Sequence, residues 1–269
     1  MRRAGRVDWA VVSAQVVLGL AFLALWQALS VLNVLNPLLY SNPVAIAQKL
    51  IAYLSGQTVY SRTIYDHLLV TFEEMAVGYV IGALVGAGAG FALGRSRFAS
   101  RVLEPYILAI YSVPKIALAP LFVLVLGIGF QSKMGVVIME VFFLVFFNTF
   151  AGVRGVNEEF VNLARIMGAS RAQLIRRVII PSALPSIIVG LKMGAPLAMV
   201  GAVIGEFIAS NQGLGWLILY SGSNYDAAGL FASIALLVII VWVLGQVLNH
   251  LEARLLRWRP SQGPEVVQI

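Results

Sequence analysis

Cysteine is absent from the chain, so neither disulfides nor thiolate metal sites can hold it together, and redox chemistry gives no clue to its compartment. Histidine occurs only as His67 and His250. No His-Glu-x-x-His run, no paired aspartates and no Gly-x-x-x-x-Gly-Lys-Ser/Thr run are found, so neither a zinc-hydrolase site nor a phosphate-cradling loop is indicated. Charge is scarce as well. Charged residues make up 12% of the 269, against ~25% in an ordinary soluble domain, while 60% are hydrophobic. Such a composition leaves too little polar surface for a water-soluble fold.

The apolar residues are clustered. No Asp, Glu, Lys or Arg lies between Asp8 and Lys49, between Glu74 and Arg95, or between Asp226 and Glu252. Runs of about 20 apolar residues match the length that a bilayer core demands of a helix. The pattern predicts an all-α polytopic bundle with spans near 10–32, 70–94, 104–126, 134–153, 186–209 and 228–250. The first run follows Arg2, Arg3 and Arg6 as a signal peptide would, but it is too long and ends without a small-residue cleavage site. It is read as an uncleaved spanning helix.

Arginine sets the expected orientation. With the N-terminus in the cytoplasm, fourteen arginines fall on the inner side, against Lys49, Arg62 and Lys133 outside. Both termini are then cytoplasmic. The net charge of +7 is explained by this loop bias, and no nucleic-acid partner is implied. Outside, Ser41-Asn42-Pro43 opens a short amphipathic stretch, Val44 to Leu54, expected to lie on the membrane surface or to cap the bundle.

Two spans carry unusual residues. Gly78, Gly82, Gly86, Gly90 and Gly94 recur every fourth residue in the second span, which permits close helix packing or a sliding element beside a translocation path. Pro114 and Pro120 in the third span and Pro196 in the fifth each lack an amide proton and free a carbonyl, at Ile110, Ile116 and Lys192. Freed carbonyls at membrane depth are tolerated against protein or a wet cavity, so these spans are candidates to line a pathway. Lys115, Glu140 and Glu206 are costly intramembrane charges. Lys115 and Glu206 are candidate solute contacts; Lys115 could instead pair with a carboxylate such as Glu140, and Lys192 could snorkel to the interface.

The one long inner loop, Asn157 to Pro185, has the richest local code. Asn157 caps a helix with Glu158 and Glu159 in its first turn and Phe160, Leu163, Ala164 and Met167 on one apolar face. Gly168 ends it. Ser170 and Gln173 form a capping box for a second helix bearing Leu174, Ile175 and Val178, which Pro181 is expected to stop. Such a hairpin either folds back on its own bundle or lies in a groove of a soluble partner.

These residues carry a resemblance. Ala164-Arg165-Ile166-Met167-Gly168-Ala169-Ser170, then Val178-Ile179-Ile180-Pro181 nine residues after the glycine, resembles the coupling-loop motif of bacterial ABC importer permeases, Glu-Ala-Ala, three residues, Gly, nine residues, Ile-x-Leu-Pro. Asn162 and Leu163 stand where that motif has Glu and its first Ala. Ser112-Val113-Pro114-Lys115, Ala119-Pro120-Leu121, Gly127-Ile128-Gly129, Gly190-Leu191-Lys192, Gly205-Glu206 and Gly213-Leu214-Gly215 are similar to the branch importing nitrate, taurine, alkanesulfonates and pyrimidine vitamin precursors. The resemblance implies a bacterial inner-membrane subunit with no ATPase site. It further implies a second permease copy in a homodimer, two ABC ATPase subunits that bind ATP and Mg, and a periplasmic or lipid-anchored solute-binding protein. It assigns coupling to Ala164, Gly168, Ala169, Ser170, Leu174 and Pro181. The expected organisation is a helix with an outer amphipathic segment over 1–66, a permease core over 67–250 with its coupling loop at 157–185, and a cytoplasmic tail over 251–269. An ATP-independent carrier or channel and an intramembrane enzyme are the rival classes, and neither needs a docking hairpin.

Overall fold

A computed structural model describes residues 9–258; Arg2, Arg3, Arg6, Arg259 and most of the expected tail lie outside the described residues. Helix α1 (Trp9–Val31) leads to the short α2 (Pro37–Tyr40) and to α3 (Pro43–Leu54), whose Asn42 cap accepts the Ala45 amide at 2.8 Å. A two-residue antiparallel ladder, β1 (Thr58–Val59) with β2 (Arg62–Thr63), precedes α4 (Ile64–Gly94). Then follow α5 (Arg97–Tyr111), α6 (Lys115–Leu126), α7 (Phe130–Arg154), α8 (Glu158–Ile166) and α9 (Arg171–Leu174). A five-residue π turn, Ile175–Ile179, joins α9 to α10 (Ile180–Ala209), which is followed by α11 (Leu214–Ser223) and α12 (Ala227–Leu255).

Among the described residues five helices are long and apolar enough to cross a membrane, and the bent pair α5–α6 makes a sixth. The expected single span over 104–126 is therefore corrected: two helices meet there at 89°. Pro114 disfavours helical backbone at Val113, so α5 ends at Tyr111 and a new helix starts behind the proline. The Ile110 carbonyl is not left free but accepts the Val113 amide at 3.2 Å. Pro120 and Pro196, by contrast, sit inside continuous helices.

Helix α7 is the axis of the bundle. All five glycines of the α4 stripe face it, and a Cβ at Gly82, Gly86 or Gly90 would stand 2.9, 2.6 or 2.5 Å from the carbonyl oxygens of Ile138, Phe142 and Phe146. The stripe is thus a packing device, whereas Gly88 has nothing within 4 Å. Glycine and carbonyl advance together along the two chains, which makes α4 and α7 parallel. The chain must cross back between them, and α5–α6 is the segment available to do it. On its other side α7 receives α10 in the antiparallel sense: Gly190 lies against Asn148, Gly201 against Val137 and Gly205 against Lys133. Buried Met75, Tyr79, Val137, Val141, Val145, Ala198 and Met199 fill the seams. Lys133, expected in an outer loop, is inside α7 and buried.

The amphipathic α3 caps one end of the bundle. Its Tyr53 is buried with Ile64, Leu214, Leu217 and Leu236, and Lys49 pairs with Asp226 at 2.8 Å. Helix α1 stands at the periphery, touching α12 through Trp26 against Phe231.

Gly90→Ala forces the α4–α7 seam apart and is expected to lower the thermal midpoint of the purified chain in detergent, an overpacking cost of about 1–3 kcal/mol. Gly88→Ala should leave the midpoint unchanged or higher. Equal losses from both would refute the seam.

Candidate functional site

The hairpin is built by local chemistry at every residue. Asn157 accepts the Glu159 amide at 2.8 Å to start α8. At the other end Gly168 adopts φ +79°, the Ala169 amide reaches back to the Ala164 carbonyl at 3.0 Å, and the Gly168 amide reaches the Arg165 carbonyl at 2.9 Å. This is a Schellman cap, in which the two alanines flank a left-handed glycine. The Ser170–Gln173 capping box follows at once, its two bonds 2.8 and 3.3 Å long. Leu174 is the buried anchor of the turn, and Ala164 and Ala169 are half-buried.

Pro181 does not stop the second helix, contrary to expectation. The π turn before it lets the Ile180 amide bond the Ile175 carbonyl, which opens the ladder where a proline ring would otherwise strike the preceding turn. The hairpin therefore runs without a break from Arg171 to Ala209, a 39-residue path into α10.

The apolar face of α8 is bare. Phe160, Leu163, Ile166 and Met167 are 60, 57, 83 and 79% exposed, so the bundle leaves this face uncovered even though Leu174 is buried and Glu158 pairs with Arg97 of α5.

At the opposite end lies a polar cluster that the residue pattern alone did not reveal. Glycine at 213 cannot cap α11 with a side chain, yet the four leading amides of that helix are all satisfied from other helices. His67 Nδ1 accepts from Gly213 at 3.0 Å, and Thr71 Oγ1 accepts from Leu214 at 2.8 Å. Glu206 Oε2 accepts from Gly215 at 2.5 Å and from Trp216 at 3.3 Å, while Thr71 donates to Glu206 Oε1 at 2.6 Å. A side chain at Gly213 or Gly215 would collide with the Glu206 carboxylate. Beside it the buried Lys133 pairs with buried Glu74 and donates to Ser210 at 3.2 Å. Helix α11 itself, absent from the expected spans, starts at this remote cap and buries Leu214 and Leu217.

A model of the binding-protein-dependent transport system inner membrane component matches residues 78–258. The chain belongs to this family. It is 32% identical over 250 residues to the taurine transport system permease protein of Escherichia coli, covering 91% of each chain. It is 32% identical over 261 residues to the riboflavin transport system permease protein of Chloroflexus aurantiacus, covering 97% of this chain and 95% of that protein. The formylaminopyrimidine transport permease protein of Halalkalibacterium halodurans is 30% identical over 243 residues, with 90% of this chain and 94% of that protein covered. Among solved structures, the inward-facing MetNI methionine ABC transporter superposes with a TM-score of 0.59 at 20% identity, over 77% of this chain and 98% of that one, a likeness of fold. The chain is a multi-pass permease subunit of an ABC importer.

Within this permease the candidate path residues do not form one site. Glu206 is fully buried, its oxygens occupied by α11 and Thr71. Lys115 lies 3.9 Å from Glu140 and over the Tyr111 ring at 4.4 Å, which favours pairing over a free cation. Lys192 does not merely snorkel but meets Glu252 of α12 at 2.7 Å. Pro114, Pro120 and Pro196 are exposed on the described chain.

Glu206→Ala strands the Gly215 and Trp216 amides, at about 1–3 kcal/mol for each buried donor left unpaired, while the Thr71 hydroxyl keeps the His67 carbonyl at 3.1 Å. The purified chain should melt markedly lower, with α11 gaining fast amide exchange. A variant of unchanged stability that fails in transport would return Glu206 to the solute path.

Proposed function

We propose that the permease seats its α8–α9 hairpin in a groove of an ABC ATPase subunit and works as one of two identical copies around a shared solute path. Two ATPases supply the nucleotide site that this chain lacks, binding ATP and Mg, and a separate external binding protein delivers the solute. The arginine-rich hairpin end faces the cytoplasm, as arginine bias in short loops dictates, with both termini on that side. The solute is a small molecule of the kind named for the relatives, such as taurine, formylaminopyrimidine or riboflavin.

The observation that carries this reading is the bare apolar face of α8. A nine-residue helix is too short to persist on local bonds alone, so its exposed Phe160, Leu163, Ile166 and Met167 call for a covering surface. A helix laid in a hydrophobic groove of a partner is the economical solution. The Schellman cap and capping box make the turn stiff, and the continuity of α9, the π turn and α10 offers a lever: displacement of the hairpin moves α10 against α7. Ala164, Gly168, Ala169, Ser170, Leu174 and Pro181 then act by fixing the lever's shape. Rigid-body rocking between outward- and inward-open states is the corresponding motion. A free-standing carrier or channel, or an intramembrane enzyme, would leave the α8 face without a purpose.

Co-expression with the ATPase tests the docking. Leu163→Glu should reduce ATPase retention on the tagged permease by about tenfold or more, since burying a leucine is worth about 1.5–3 kcal/mol. Gly168→Val places a β-branched residue at positive φ, costing about 1–2 kcal/mol locally, and should uncouple ATP hydrolysis from transport while the spans stay folded. Full retention and coupling in both variants would end the proposal.

A further inference from the structure

Five arginines from four helices or helix ends converge on one cavity of 520 Å³ at the hairpin end of the bundle. Arg95 follows the last residue of α4, Arg97 and Arg101 stand on α5, Arg154 closes α7, and Arg165 lies in the last turn of α8. The single acid among the lining residues is Glu158, and Arg97 takes it. Arg154 lies 3.6 Å from Glu104. Among the described residues Arg95, Arg101 and Arg165 have no carboxylate partner. The bias of arginine toward one membrane side explains why this end is basic, but not why these five share a hollow. Arg176, Arg177, Arg254 and Arg257 belong to the same end and do not line it.

Planar guanidinium forks from several directions suit a tetrahedral oxyanion, which they hold through paired bonds. The cavity lies where α4 ends, α5 begins and α7 ends, the level at which a spanning helix meets headgroups. On α5, beside the arginines, Phe98, Val102 and Leu103 are 81, 46 and 45% exposed, an apolar surface of the sort that acyl chains cover. The volume falls within the ~300–1,000 Å³ of small-ligand pockets.

We propose that this cavity binds the phosphate headgroup of an anionic membrane lipid, clamped by Arg95, Arg101 and Arg165 between the ends of α4 and α5 and the hairpin. A bound headgroup ties α8 to two spans by charge, so the lever's rest position depends on the lipid around it. The inference rests on the permease reading only in setting these span ends at a membrane interface. It needs no docked ATPase, so it can fail while docking stands, and the reverse.

Native mass spectrometry of the full-length chain, released from detergent after incubation with phosphatidylglycerol or phosphatidylcholine, provides the test. The wild type should retain one phosphatidylglycerol in preference to phosphatidylcholine. R101Q/R165Q should lose that preference by about fivefold for each arginine removed, while R254Q/R257Q keeps it. The same lipid should raise the melting temperature of the wild type and of R254Q/R257Q, but not of R101Q/R165Q. Equal retention of both lipids, or an equal loss in the control pair, overturns the site. Displacement of the lipid by inorganic phosphate shows a free-anion site and overturns the lipid assignment, as does displacement by the added ATPase, which would make these arginines part of a protein contact. If R101Q/R165Q aggregates, the phosphate and ATPase competitions on wild type still decide.

Discussion

Close approach of α4 to α7 is the constraint on which the rest of the architecture hangs. In lipid, helices gain little from excluding water, so association depends on how near two backbones can come. Five glycines at a four-residue spacing give α4 a groove deep enough for the carbonyl side of α7, and Gly190, Gly201 and Gly205 give α10 a second one on the opposite face. Helix α7 needs no glycine stripe of its own, because its neighbours supply the room. The parallel sense of the first seam has a topological consequence. The chain must return across the bundle between α4 and α7, and the bend at Pro114 is where that return is folded into two pieces.

From this three-helix spine the two working ends follow. At one end α10 is continuous with the hairpin, so whatever seats α8 acts directly on the spine. At the other end the last turn of α10 carries Glu206, which reaches across to hold the first turn of α11, while Thr71 and His67 of α4 hold the rest of that turn. Lys133 of α7 and Glu74 of α4 lie beside it. One end thus carries a bare apolar helix face beside clustered arginines and is capped locally. The other is polar, buried and capped from afar.

The short motifs of the sequence acquire physical reasons here. Gly168 is glycine because its backbone is left-handed, and Ala164 and Ala169 are joined across that turn by the Ala169 amide and the Ala164 carbonyl. Gly205-Glu206 and Gly213-Leu214-Gly215 belong together although they are separate in sequence. Gly205 lets Lys133 approach, and the latter two glycines clear space for the Glu206 carboxylate. Read singly, Glu206 is an intramembrane acid that suggests a solute contact. Read with its three donors, it is a helix cap.

Length, apolar runs and arginine bias were enough to establish a multi-pass helical bundle, and the caps at Asn42, Asn157 and Ser170 were legible because each acts within three residues of itself. The α4 glycine stripe was legible as a packing face, though not its partner. What the linear code could not supply were interactions between residues distant along the chain: the corner at Pro114, the inclusion of Lys133 and Glu74 in one buried pair, the pairing of Lys192 with Glu252, and the existence of α11. Local hydrogen bonds and hydrophobic period are properties of neighbouring residues, so the sequence by itself determined where the locally capped helices α8 and α9 start and how the hairpin turns. The tertiary structure decided which charges are buried together and whether Pro181 ends a helix or is absorbed by a π turn. Those outcomes depend on which backbones come close enough to exclude everything but each other.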